Sequence, residues 1–339
     1  MKITILGGGG FLGRKLAAHL ARHGRLGDNE VTALTLFDLT PPGPLDADFP
    51  VVRLGGDIAA LPEQVIPGGT DVIFHLAAVV SAQAEADYDL GMRVNLRGTE
   101  AVIDACCRLV RGGGKPPRVV FTSSIATFSG GQAARLSDDA RQVPGNSYGA
   151  AKAAAELLLA DASRRQFLDA VSLRLPTIVV RPGRPNKAAS SFLSAVVREP
   201  LLGLETELPV SEAFAAWVAS PRRAVDWLLH AAVMSTGQMG NDRSINLPGI
   251  SATISHMLRA LEEVRPGASA LVRHVPDPVI SAIVEGWPAA FEPLRARTLG
   301  FETHEPLVDV IRSFVEDDLA VTCAERGLKM PDTVYLSGH

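Results

Sequence analysis

A short apolar run, Lys2–Leu6, is followed at once by Gly7-Gly8-Gly9-Gly10-Phe11-Leu12-Gly13 and then by a helical pattern reaching His23. This strand, glycine turn and helix constrain the fold more than any other feature. Gly7, Gly10 and Gly13 stand in G-x-x-G-x-x-G spacing. The first permits a tight turn, the second lets the backbone approach a pyrophosphate, and the third lets helix and strand pack closely. Phe11 and Leu12 open the helix, where N–H groups without intrahelical partners and the helix dipole favour an anion. A glycine cluster alone also fits a plain turn, and the residues beyond His23 decide between the two.

Downstream, short β-branched runs alternate with helical patterns, the signature of a parallel sheet with crossover helices. Strands are expected at residues 31–37, 51–54, 72–75, 119–122 and 170–175, and helices at 11–23, from about 86 to 110, and at 147–166. The stretch 24–30 reads as a loop. Near-continuous apolar strands such as Val72-Ile73-Phe74 suit a sheet covered on both faces. The expected fold class is α/β, a Rossmann-type doubly wound parallel sheet. Beyond Arg181, the residues Pro182, Pro185, Pro200 and Pro209 break the rhythm and helices dominate. Residues 1–181 are read as the nucleotide-binding domain. Residues 182–330 are read as a smaller C-terminal substrate-binding lobe, partly interleaved with the first, and the last twenty or so as a loosely held tail.

Asp38 ends the second strand, where a carboxylate accepts hydrogen bonds from ribose hydroxyls. It repels the extra phosphate of NADP, and no arginine follows in Leu39-Thr40-Pro41, so NAD is the expected cofactor. Asp57-Ile58 fits the adenine edge or, for the aspartate, a helix cap. Leu76, Ala77 and Ala78 end the fourth strand, and their small size lets backbone approach the middle of the cofactor. His75 is read as a buried structural residue. Asn95, on the cofactor side, is read as bracing the strand that bears the serines.

Tyr148 and Lys152 stand four residues apart, on one face of a helix. A nearby ammonium favours the phenolate and turns a tyrosine, ordinarily a poor base at neutral pH, into a usable one. Alone, this spacing also fits a solvated helix face. Thr122-Ser123-Ser124 at the end of the fifth strand supports the catalytic reading, because ligands in such sheets bind beyond the carboxyl ends of the strands. Ser124 is the candidate for orienting a substrate hydroxyl, and Ser123 for lining the cofactor.

With the glycine motif, His75-Leu76-Ala77-Ala78, the serine pair and Tyr-x-x-x-Lys in this order, residues 1 to about 250 resemble the extended short-chain dehydrogenase/reductase family. That family holds nucleotide-sugar epimerases, dehydratases and dehydrogenases. Residues 75–81, 85–91, 173–178, 180–183, 185–192 and 217–226 are most similar to its dehydrogenases of small sugar acids. The resemblance implies Tyr148 as proton acceptor, Lys152 as its partner and Ser124 as the positioning hydroxyl. The implied reaction oxidises the C2 hydroxyl of a four-carbon sugar acid to a 2-keto acid, with hydride passing to NAD. It also implies a homodimer built on the helices 86–110 and 147–166. One departure is the Ser129-Gly130-Gly131 run after Phe128, which reshapes the loop over the site and bears on substrate preference.

A sugar-acid carboxylate needs a cationic receptor, and Arg174, Arg181, Arg184 and Lys187 cluster after the sixth strand. Arg181 is the first choice, with Ser81, Thr177 and Ser191 as hydroxyl partners. Pairing with surface carboxylates is the alternative for each arginine. Arg222 and Arg223 fit either a substrate phosphate or a helix junction. A net charge of −4 argues against a nucleic-acid or anionic-membrane partner, and no apolar stretch is long enough to span a bilayer. The opening residues lack the long apolar segment of a secretory signal. Cys106, Cys107 and Cys323 offer neither a disulfide framework nor metal-ligand spacing, so no metal is expected and a cytoplasmic setting is. Two other classes stay open: a nucleotide-sugar epimerase or dehydratase, or a uronate dehydrogenase, using the same cofactor; and a non-catalytic NAD sensor, against which the retained Tyr148 and Lys152 argue.

Overall fold

Ile3, Ile5 and Leu6 are all but inaccessible to water, the burial expected of a strand covered on both faces. The computed structural model describes residues 1–131, 135–184, 190–284, 286–302 and 305–331. By its internal contacts the chain divides into two units. One comprises residues 1–127, 144–175 and 225–247, and the other 128–143, 176–224 and 248 onward.

The first unit is built on one parallel sheet. Its strands are β1 (Lys2–Leu6), β2 (Ala33–Asp38), β3 (Val51–Gly55), β4 (Val72–His75), β5 (Arg118–Ser124), β6 (Asp169–Leu175) and a late strand at Ser244–Asn246. Their order is late strand, β6, β5, β4, β1, β2, β3, and every pairing is parallel. This is the Rossmann arrangement, with the direction of winding reversing between β1 and β4. The sequence reading supplies six of the strands. Ser244–Asn246 is too short to carry its own pattern and is recruited by pairing with Ser172–Arg174.

Helix α1 (Phe11–His23) follows β1 as expected. The expected long helix over 86–110 is instead broken into α2 (Ser81–Ala86), α3 (Tyr88–Met92), a π-helical turn at Arg93–Arg97 and α4 (Gly98–Arg111). Two side chains account for the break. Asp87, whose backbone (φ −135°, ψ 88°) is not helical, caps α3 by accepting from the Leu90 N–H at 3.0 Å. Asn95, at the π turn, is drawn inward to the backbone of Val79, which it meets through two hydrogen bonds. Helix α5 (Ser147–Arg164) follows, its N–H groups at Gly149 and Ser147 accepted by Asn146 Oδ1 at 2.8 Å and Glu85 Oε2 at 2.9 Å. Stretch 24–30, expected as a loop, forms a small hairpin. Leu6, Phe37, Ile73, Phe121, Cys106 and Leu159 pack into the core between sheet and helices.

The second unit holds β7 (Thr177–Ile178), α6 (Ser191–Leu201), β8 (Ala215–Ala219), the start of α7 (Pro221–Val233), β9 (Ile250–Thr253), α8 (Ile254–Val264), α9 (Leu307–Asp317) and α10 (Leu319–Arg326). β8 pairs parallel with β7 and antiparallel with β9. Leu193, Val197, Leu261 and Phe314 centre its core. The expected loose tail is corrected over α10: Leu319 and Cys323 are buried, because the helix presents an apolar face to that core. Residues 332–339 lie outside the described residues.

Candidate active site

The carboxyl ends of β1, β2 and β4 bring three backbone segments into contact. Gly7, at φ +89°, donates its N–H to the Phe37 carbonyl at 2.8 Å. A Cβ on Gly13 would lie 2.1 Å from the Gly7 carbonyl oxygen, and one on Gly7 would lie 2.7 Å from the Ala77 nitrogen. Only glycine fits either place. Asp38 turns its carboxylate back over this turn, accepting from the Gly9 N–H at 2.9 Å and the Leu39 N–H at 2.7 Å. Gly10 is exposed, and no side chain caps α1 there. The first-turn amides of Phe11 and Leu12 are therefore the groups an anion would meet. Leu76 extends the β1 ladder through its N–H to the Leu6 carbonyl at 2.8 Å; Ala77 beside it is half-buried and Ala78 exposed.

Around the same strand ends, several expected roles take a definite form. Asp57 caps a short 3-10 turn at Ile58–Ala60 through the Ala59 N–H, which is the second of its two readings, and Ile58 is buried in the core. Asn95 braces Val79 in the segment after β4, not the strand that bears the serines, since a π turn aims its amide at that backbone. His75 is buried with Nε2 2.9 Å from Thr99 Oγ1. Burial, with the Lys152 charge, pushes its pKa down to about 3, so it is a neutral structural residue. Ser81 opens α2 and is half-buried.

Tyr148 and Lys152 lie on the first turns of α5. Gly149 between them brings the helix against the turn after β5: a Cβ there would lie 2.3 Å from the Ala126 carbonyl oxygen. Lys152 is fully buried, with Nζ 5.7 Å from the centre of the Tyr148 ring and 4.4 Å from that of Phe121. It donates to the Thr122 carbonyl at 2.8 Å. Burial lowers its pKa to about 7, against an opposing pull from the Glu156 carboxylate. Ser124 closes β5, half-buried, its Oγ accepting from the Ala126 N–H at 3.1 Å. Ser123 faces the other way: it is buried and donates to Glu156, so its hydroxyl is not directed as a cofactor-lining group would be.

Residues 3–213 match the NAD dependent epimerase/dehydratase family. The chain belongs to that family. It is an NAD-dependent oxidoreductase, as the extended short-chain dehydrogenase/reductase resemblance implies. It is 45% identical to a D-erythronate dehydrogenase of Cupriavidus necator, over 94% of this chain and 98% of that one. To a D-erythronate dehydrogenase of Haemophilus influenzae it is 38% identical, over 94% and 100% of the two chains. Among solved structures, one described as a nucleoside-diphosphate-sugar epimerase from Agrobacterium tumefaciens superposes with a TM-score of 0.90 at 43% identity, covering 94% of this chain and 95% of that one.

The residues present suit the family's cofactor. The glycine turn leaves no room for side chains, the amides of Phe11 and Leu12 open α1, and the Asp38 carboxylate stands at the end of the next strand. NAD is the cofactor. On the substrate side, Arg174 is corrected. It is a β6 residue whose guanidinium lies buried on Glu156, with Nη2 2.7 Å from Oε2, and on Asn246. Its side chain alternates to the face of the sheet covered by α5, where it needs a counter-charge. Arg222 pairs with Glu316 and Asp317 at a helix junction within the second unit. Thr177 is buried in β7, and Ser191 begins α6 half-buried. Arg181 is held firmly: its N–H donates to Ser194 Oγ, its Nε to the Ile178 carbonyl, and its carbonyl accepts from Arg198 at 2.7 Å. Arg184 is exposed, and Lys187 lies outside the described residues. In the departing loop, Gly130 N–H bonds to Val143 and Gly131 N–H to Phe128. Sequence reasoning passes over Glu156, although its place four residues beyond Lys152 is a usable signal.

Proposed function

We propose that this protein oxidises the C2 hydroxyl of D-erythronate to 2-keto-D-erythronate, with Tyr148 as the base. The observation that carries the reading is the buried Lys152 ammonium beside the Tyr148 ring, in a chain closely similar to two D-erythronate dehydrogenases. Bound NAD supplies the acceptor for the C2 hydride. Ser124 orients the substrate hydroxyl, and Tyr148, as phenolate, takes its proton. Lys152 favours the phenolate by its charge, held in place by the Thr122 carbonyl. Arg181 receives the carboxylate, with Ser81, Thr177 and Ser191 as hydroxyl partners. The proposed cofactor set is Gly7, Gly10, Phe11, Leu12, Gly13, Asp38, Leu76, Ala77 and Ala78, with Tyr148 and Lys152.

D-Erythronate with NAD is expected to give NADH absorbance, and Tyr148→Phe to lower that rate at least about 100-fold. A second reading is nucleotide-sugar epimerisation, favoured by the description of the Agrobacterium tumefaciens structure. Turnover of a nucleotide sugar without NADH release, and none of D-erythronate, would replace the first reading with the second. We also propose a homodimer on the faces of α3–α5, where Tyr88, Leu157 and Leu158 are exposed. A reducing, cytoplasmic compartment suits three buried thiols.

A further inference from the structure

Four buried polar side chains form a chain across β5, α5, β6 and the late strand. Ser123 donates to Glu156 Oε1. Arg174 Nε lies 3.1 Å from each Glu156 oxygen and Nη2 2.7 Å from Oε2, a forked ion pair, while Nη1 reaches Asn246 Oδ1 at 3.2 Å. The Glu156 side chain is 2% exposed and that of Arg174 is 11% exposed, so solvent screens this pair little. Such pairs seldom raise stability over an apolar replacement. Its place, one helical turn beyond Lys152, points to another role.

We propose that Glu156 and Arg174 are positioning residues for the Tyr148–Lys152 pair, their opposed buried charges fixing the pH range in which the pair works. The inference rests on the reading of Tyr148 and Lys152 as the catalytic pair. Among the described residues, the groups facing Lys152 are Tyr148 and Glu156 on its own helix and His75 from β4, with Arg174 from β6 beyond Glu156; Phe121, Thr122 and Ser123 of β5 are uncharged. His75 is neutral, which leaves one cation on Lys152 and a balanced pair behind it. Glu156 offsets the cost of a buried ammonium, and Arg174 grips the Glu156 carboxylate in a forked ion pair. Lys152 lies beside the Tyr148 ring, so both limbs of the pH–rate profile are expected to report on this charge balance.

The test is the pH dependence of kcat/KM for NADH formation from D-erythronate in the whole enzyme. Removing a negative charge lowers every neighbouring pKa and removing a positive one raises it. Glu156→Gln is expected to slide both limbs down by about one pH unit, and Arg174→Gln to slide both up. The double variant should return them to the wild-type position, even where its rate is reduced. Should one single variant fail to fold, as judged by circular dichroism, the direction seen in the other decides. Limbs that stay fixed in folded variants, with only the rate changed, mean a structural role and overturn the proposal. Tyr148→Phe separates the two failures: if that variant stays active, it is the catalytic reading that falls.

Discussion

At the scale of single residues, burial decides which titratable groups work and which merely fit. His75 and Lys152 are both fully buried cations-to-be, yet one is neutral and the other is held next to a carboxylate. His75 has a folded pKa of about 3 against 6.5 when unfolded. Below 6.5 the unfolded chain therefore takes up a proton that the fold refuses. Its share of stability is complete above 6.5 and is lost as pH falls towards about 3. The urea midpoint of His75→Gln is expected to fall less steeply over that window than that of the wild type. Equal slopes would remove His75 from the account. The sequence displays His75 at a strand end, and its neutral role is legible there because a lone histidine in an apolar strand has no counter-charge. The partner of Glu156 is not legible: Arg174 sits eighteen residues on, and only strand alternation turns it inward.

Among elements, the break over 86–110 has more consequence than its length suggests. An unbroken helix would carry Asn95 on an ordinary turn; the π turn instead lets its amide satisfy both the N–H and the carbonyl of Val79. That segment continues from Ala77, whose backbone abuts Gly7. Asn95→Ala leaves two part-buried backbone groups without these bonds, at a cost of about 1–3 kcal/mol. We expect a weaker Kd for NAD by calorimetry, with kcat at saturating NAD nearly unchanged. An unaltered Kd would show that the bracing ends at Val79. Helical periodicity gives an amphipathic stretch here but not its interruption, because π turns depend on what a side chain finds across the gap.

For the molecule as a whole, α5 serves two sides at once: Lys152 and Glu156 face the sheet, whereas Leu157 is 70% exposed on the opposite face. A bare leucine one residue past a buried glutamate is explained if a second copy covers it. Leu157→Glu is expected to shift the protein to monomer in sedimentation velocity, and an unchanged sedimentation coefficient would exclude that face. The parallel sheet, the glycine turn with Asp38, and the Tyr148–Lys152 spacing were all determined by sequence, because each rests on a local period or on residues within a few turns of one another. Tertiary structure alone decided the late strand Ser244–Asn246, the inward turn of Ser123 and Arg174, and the hold on Arg181. These depend on contacts between segments distant in the chain, and a buried charge is tolerated only where the fold brings its partner.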